Sequence, residues 1–195
     1  MLFRSAKIAA SSQRHGGILT TADFAAYKAV VRAPIECDYR GYHIVSAPPP
    51  SSGGIVICET LGILEGYPMG SLGFHSAQGV HYTTEALRRA FHDRNVNLGD
   101  PDFVKADVTK FTSKAYAAQL RAGISPDKAT PSASLPGPDA AHEGKSTTHF
   151  SIVDAKGNAV SLTYTLNDWF GARVTAEGTG ILLNDEMDEI GRAHV

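Results

Sequence analysis

Gly144-Lys145-Ser146-Thr147-Thr148-His149-Phe150-Ser151-Ile152-Val153 is the stretch on which the reading of this chain turns. Upstream of it, Ile124 to Ser146 is rich in Ser, Pro, Ala and Gly and reads as an exposed, mobile loop. Downstream, residues 148–153 and 159–165 alternate as two strands. Asp154-Ala155-Lys156-Gly157-Asn158 supplies the hairpin turn, with Gly157 free to take positive φ. A loop thus runs into a strand that opens with hydroxyl residues. A Thr hydroxyl is a weak nucleophile unless a base sits beside it. A Thr at a chain terminus carries one: its α-amine, of reference pKa about 8, is partly neutral near pH 7. An internal Thr reaches that state only if the peptide bond before it is cut, and a loop entering a rigid strand suits such a cut. Pattern alone favours the plainer alternative, that Ser146 and Thr147 are strand-entry residues, since β-propensity expects Thr there.

Outward from this stretch the elements are mostly local readings. Gly16-Gly17 and Thr20-Thr21-Ala22-Asp23 predict a turn and a short capped helix. Tyr39 to Ala47 reads as a strand, stopped by Pro48-Pro49-Pro50-Ser51-Ser52-Gly53-Gly54, whose prolines lack donors and whose glycines permit close approach. Ile55 to Leu64 has the spacing of a buried helix. Residues 76–97 form the clearest helix, with Val80, Thr84, Leu87 and Phe91 building one face. Glu85, on the other side, is expected to pair with Arg88 or Arg89 for a surface contribution of ~0.2–0.5 kcal/mol. A further helix is predicted from Thr112 to Arg121, and Ile181-Leu182-Leu183 is a short apolar run. Cys58, inside Ile55-Val56-Ile57-Cys58, reads as a small buried hydrophobe. A bridge from it to Cys37, the other cysteine, stays open.

Composition bounds the rest. The 195 residues, 43% hydrophobic with 18 Lys plus Arg against 20 Asp plus Glu, fit one soluble α/β domain and exclude a collagen-like, disulfide-dense or wholly disordered chain. A net charge of -2 argues against a nucleic-acid partner. No apolar stretch approaches the ~20 residues of a membrane span. Met1-Leu2-Phe3-Arg4-Ser5 lacks the apolar core of a secretory signal. His75, His81 and His92 lack metal-ligand spacing, and neither a metal nor another cofactor is expected. Ser51-Ser52 lacks the Gly-x-Ser-x-Gly elbow, and no phosphate-binding glycine loop is present.

Longer motifs carry a resemblance. Thr147 to Asp154, Gly157-Asn158-Ala159-Val160, Thr163-Tyr164-Thr165-Leu166-Asn167, Phe170-Gly171 and Gly180 to Asp188 closely resemble the gamma-glutamyltranspeptidases. So, upstream, do Tyr39-Arg40-Gly41-Tyr42, Pro48 to Gly54 and Leu98 to Phe103, in the same order. The resemblance implies an N-terminal nucleophile hydrolase, α/β (α+β) in class. The chain would be part of a four-layer αββα sandwich truncated at both ends. It implies a precursor that cuts itself between Ser146 and Thr147. Residues 6–146 would end the large subunit and 147–189 begin the small one, the two forming a heterodimer. Thr147 would then attack the γ-amide of glutathione or a related γ-glutamyl compound and pass the acyl group to water, an amino acid or a peptide. Thr165 would hydrogen-bond the Thr147 hydroxyl, while Asn167, Glu186 and Glu189 would receive the substrate's α-ammonium, whose three donors need acceptors. Pro48 to Gly54 would shape the scaffold, and His149 would be a structural strand residue.

The same resemblance places some of the machinery elsewhere: an upstream arginine and a downstream Ser pair for the α-carboxylate, and a downstream Gly-Gly pair for the oxyanion. One lost oxyanion donor can cost ~10²–10³ in rate, so this chain alone is expected to be inactive. A periplasmic or secreted parent is implied. A cephalosporin or glutaryl acylase of the same family, and a non-catalytic homologue used as a binding module, are the rivals. The ends are expected to be foreign. Ile190-Gly191-Arg192-Ala193-His194-Val195 back-translates to a common short-read sequencing adapter, and residues 1–5 to its opposite strand. The same adapter would explain Glu189 where the family has Asp.

Overall fold

The structure is a computed structural model that describes residues 2–135 and 147–186. In order, its elements are α1 (Leu2–Arg14), α2 (Thr21–Ala26), β1 (Ile35–Tyr39), β2 (Tyr42–Ser46), α3 (Gly53–Leu64), α4 (Ala77–Asn97), α5 (Val108–Phe111), α6 (Lys114–Ala122), β3 (Thr147–Val153), β4 (Ala159–Thr165), β5 (Thr175–Ala176) and β6 (Ile181–Leu182). The mixture is α+β. Among the described residues the strands form three separate antiparallel pairs, β1–β2, β3–β4 and β5–β6. Residues 2–30 with 147–186 make one compact unit, and residues 31–135 a second.

In the second unit, β1 and β2 are joined at Arg40-Gly41, with φ of 50° and 86°. Two positive-φ residues match the right-handed twist of the flanking strands. The single strand expected from Tyr39 to Ala47 is therefore the return arm of a hairpin whose first arm begins at Ile35. Three prolines then lead into α3, which packs close: a Cβ on Gly54 would stand 2.5 Å from the Ala47 carbonyl oxygen and 2.8 Å from the Ile35 Cβ. One core cluster joins Ile35, Ile55, Cys58 and Phe111. A second joins Ile63, Leu64, Ala86, Ala117 and Ile124. Cys58 is buried as expected, and it is also bridged to Cys37, with Cα atoms 5.9 Å apart. Ser76, Asp107 and Ser113 cap α4, α5 and α6 by accepting backbone amides.

α4 faces opposite to its apolar pattern. Val80, Leu87 and Phe91 are 52%, 38% and 41% exposed, whereas Glu85, Ala86, Arg89, Ala90 and Asp93 are buried. The reason is packing and charge together. Ala86 and Ala90 are small enough for close approach to neighbouring helices. The charged groups between them are neutralised in place. Glu85 Oε1 accepts from Arg88 Nη1 at 2.9 Å and from the Thr130 amide at 3.0 Å, and Oε2 accepts from Arg89 Nη1 at 2.6 Å and from the Thr130 hydroxyl. The expected surface ion pair is thus a buried one. The loop after Ile124 is exposed as expected, yet it is not loose. Its first part is held to α4, with Gln78 Nε2 donating to the Pro126 carbonyl at 2.9 Å, His81 Nε2 2.7 Å from the Ser125 carbonyl, and Arg88 donating to the Thr130 carbonyl at 2.5 Å. The remainder of that loop, residues 136–146, lies outside the described residues.

In the first unit, α1 and the β5–β6 turn meet through a bond from the Glu177 amide to Ser11 Oγ, 3.2 Å long, and an Arg14–Glu177 ion pair. Ala9, Ser11 and Ala176 are buried there. Leu2 to Ser5, expected to be foreign, occupy the first turn of α1. Thr20 and Asp23 form the reciprocal cap expected at the start of α2. Among the described residues no helix is long and apolar enough to cross a membrane.

Candidate active site

The turn between β3 and β4 is built locally. Asp154 Oδ1 accepts the amides of Lys156 and Asn158 at 2.8 and 2.9 Å, and Gly157 takes φ 82°. This fixes the register as Val153↔Ala159 through Thr147↔Thr165. Side chains alternate along a strand, so the register sorts the hairpin into two faces. Phe150, Ile152, Val160, Leu162 and Tyr164 share one face; Thr147, His149, Ser151, Ser161, Thr163 and Thr165 share the other. The second face is a ladder of hydroxyls around one imidazole. Thr147 Oγ1 donates to Thr165 Oγ1 at 3.1 Å. The two His149 ring nitrogens lie 2.9 Å from Thr163 Oγ1 and 2.9 Å from Ser161 Oγ. Both are engaged across the hairpin, which suits a structural residue rather than a base.

Beyond β4 the chain turns back on itself. Thr165 Oγ1 also accepts the Asn167 amide at 2.8 Å. Asn167 adopts φ 74°, a left-handed conformation that Asn tolerates better than most residues. Asn167 is 3% exposed, and its Nδ2 donates to the Asp185 carbonyl at 3.2 Å, which orients the side-chain amide. Its Oδ1 is buried and meets no donor among the described residues. Asp185 ties the turn from the other side: its amide donates to the Leu166 carbonyl at 3.2 Å, and its Oδ1 accepts the Asp168 amide at 3.2 Å. Gly171, at φ 56°, lets the loop pass the strand end, since a Cβ there would stand 2.3 Å from the Leu183 carbonyl oxygen. Glu186 follows Asp185, half-buried, its amide donating to Asn184 Oδ1 at 3.0 Å.

A cavity of about 430 Å³ opens at this end of the hairpin, with Thr147, Thr165, Leu166, Asp168 and Trp169 in its wall. The fold therefore brings Thr147 and Thr165 into direct contact, attaches Asn167 to Thr165 through its amide, and sets Glu186 beside the aspartate that holds Asn167. Ser146 and Glu189, the remaining expected site residues, lie outside the described residues, as do residues 190–195. Sequence reasoning left three participants unassigned. Asp185 stands inside the quoted motif Asn184-Asp185-Glu186 and could have been singled out there as an acceptor. Asp168, which accepts from Arg173 at 2.9 Å, and Trp169, 76% exposed, follow Asn167 directly but carry no pattern of their own.

Thr147 thus opens β3 with its hydroxyl on that of Thr165 in the paired strand. The gamma-glutamyltranspeptidase family model matches residues 5–194, and the chain belongs to that family. Over 183 residues it is 63% identical to a protein named glutathione hydrolase proenzyme from Pseudomonas sp. (strain A14), covering 94% of this chain and 32% of that protein. The crystal structure of Helicobacter pylori gamma-glutamyltranspeptidase superposes with a TM-score of 0.66 at 39% identity, over 73% of this chain and 41% of that one. Cephalosporin acylase from Bacillus halodurans superposes with a TM-score of 0.78 at 27% identity, over 98% of this chain and 34% of that one. The chain spans about a third of the length of the curated relatives it matches.

Proposed function

We propose that the chain is the segment of a gamma-glutamyltranspeptidase precursor that contains its own cleavage site, and that Thr147 is the nucleophile of both cleavage and turnover. The observation that carries this reading is the Thr147 Oγ1 to Thr165 Oγ1 hydrogen bond. In the precursor, Thr147 Oγ attacks the Ser146 carbonyl carbon. The carbon–nitrogen bond breaks, an ester to Thr147 Oγ forms, and the nitrogen becomes a free α-amine. Water then opens the ester, leaving a Ser146 carboxylate and a Thr147 hydroxyl. In turnover, that α-amine takes the hydroxyl proton as Thr147 Oγ attacks the γ-carbonyl of glutathione or a related amide, and the leaving amine takes a proton as it departs. The γ-glutamyl ester is resolved by water or by the amino group of an amino acid or peptide.

Thr165 serves as the acceptor that points the Thr147 hydroxyl. Asn167 Oδ1, without a donor among the described residues, supports a role in receiving the substrate's α-ammonium. A buried acceptor left unsatisfied costs about 1–3 kcal/mol, a deficit that an incoming ammonium removes. Glu186 and Glu189 are assigned to the same group. The large and small subunits would remain together as a heterodimer, and the isolated chain would be inactive. The Cys37–Cys58 disulfide supports a periplasmic or secreted location, because disulfides persist in oxidising compartments.

The test uses the full-length gene. The wild-type product should appear as two polypeptides, the smaller beginning at Thr147, and Thr147→Ala should stay uncut. A different new N-terminus, or normal cleavage of Thr147→Ala, refutes the assignment. A second reading is an acylase acting on cephalosporin side chains, since a cephalosporin acylase is among the structures this chain resembles. Turnover of a cephalosporin side chain with no turnover of any γ-glutamyl amide would select it.

A further inference from the structure

Away from the hairpin, the unit of residues 31–135 buries an acid that none of the chemistry above uses. Glu59 of α3 is 1% exposed, and among the described residues neither of its carboxyl oxygens meets a hydrogen-bond donor. An ionised carboxylate in that position would cost several kcal/mol. The polar group beside it is a second acid, Asp93 of α4, 7% exposed. Asp93 is already supplied with donors: its Oδ2 accepts from the Tyr116 hydroxyl of α6 at 2.7 Å, and its Oδ1 from Asn97 Nδ2 at 3.4 Å. Two carboxylates side by side repel. A single proton between them turns the repulsion into an O–H···O⁻ hydrogen bond. Glu59 is the member without donors, so the proton belongs on it.

We infer that Glu59 and Asp93 share one proton as a buried acid–carboxylate pair that fastens α3 to α4, and that alkaline pH releases the fastening. The charges around the pair agree. Burial, then the Asp93 charge, push Glu59 from 4.5 up to about 8, with Lys110 of α5 the opposing influence. Lys110 does not pair with Glu59; its Nζ lies over the rings of Tyr116 and Phe111, 4.5 and 5.1 Å from their centroids. Tyr116 is held in its donor form well above the usual tyrosine range, by burial, by its bond to Asp93 and by the Asp93 charge. The sign follows from linkage. Between 4.5 and about 8 the folded state keeps a proton that the unfolded chain has released. The stabilisation is therefore complete below the lower value and is lost as pH rises through the upper one.

The experiment is thermal and urea unfolding of the full-length protein from about pH 6 to about pH 9, for wild type and Glu59→Gln. Gln keeps a donor for Asp93 and cannot ionise. From about pH 6 to about pH 8 the wild-type unfolding equilibrium constant should rise relative to that of Glu59→Gln by up to about tenfold per pH unit, and the rise should level off above that. Parallel pH profiles overturn the inference. Infrared spectroscopy gives the second arm and does not need the variant to fold. Wild type at neutral pH should show the carbonyl stretch of a protonated, buried carboxylic acid that disappears on alkaline titration. Absence of that band at neutral pH overturns the inference equally.

Discussion

Removing the Glu85 carboxylate should cost the protein about 3–5 kcal/mol, the penalty for breaking a buried ion pair from one side. Glu85 is 1% exposed and Arg89 5%. Without the carboxylate, Arg89 keeps only the Gly123 carbonyl at 2.8 Å, the Glu85 carbonyl at 3.1 Å and Thr130 Oγ1 at 3.1 Å, none of them charged. A second route gives a similar figure. Burial alone would raise the Glu85 carboxyl, but the donors Thr130 and Arg89 outweigh it and hold the group at about 2 against an ordinary 4.5. At ~1.36 kcal/mol per unit, that difference is roughly 3 kcal/mol. The folded value is the lower one, so the stabilisation is present above about pH 4.5 and is lost as pH falls toward 2. Urea unfolding of wild type and Glu85→Gln should therefore differ by about 3 kcal/mol at neutral pH, and the gap should close in acid. Limited proteolysis should find residues 125–132 cut faster in the variant, since Thr130 loses its anchor. A neutral-pH cost below about 1 kcal/mol, or a gap that persists unchanged in acid, would refute the reasoning.

Two further outcomes are expected. Replacing Cys37 and Cys58 together by Ser should lower stability by about 3 kcal/mol, because the bridge closes a loop over a sequence separation of 21. A reductant should lower the melting temperature of wild type and leave the double variant unmoved; equal sensitivity in both would reject a structural bridge. Gly54→Ala should cost about 1–3 kcal/mol through overpacking against Ala47 and Ile35. Gly53→Ala, whose nearest contact would be 3.5 Å from Ser51 Oγ, should be tolerated. Matching thermal melts for the two variants would contradict the close approach.

The hairpin that carries the candidate site was legible in the sequence because its geometry is short-range. A five-residue turn closes the hairpin, and once Asp154 and Gly157 set that turn, the pairing of Thr147 with Thr165 follows from counting outward. Caps behave in the same way: Thr20 with Asp23, and Ser76 ahead of α4, act within three residues of where they stand. The family motifs named Asn167 and Glu186. They did not say that Asp185 would hold Asn167 in place, because that bond spans 18 positions and exists only once the chain has turned back.

The helix from Ala77 to Asn97 marks the boundary between the two kinds of information. Its apolar residues, read by period, choose one face, and the folded chain buries the other. Periodicity counts hydrophobic side chains on a single helix. It does not include partners such as Thr130, 45 positions from Glu85, or Tyr116, 23 positions from Asp93, which make burial of charge affordable. The amino-acid sequence by itself determined the hairpin, its turn and the threonine at its head, since those depend on neighbours a few residues apart. The tertiary structure alone decided which carboxylates were buried, which cysteines met and which loop was tied down. Each of those depends on groups far apart in the chain satisfying one another's charge and hydrogen bonds.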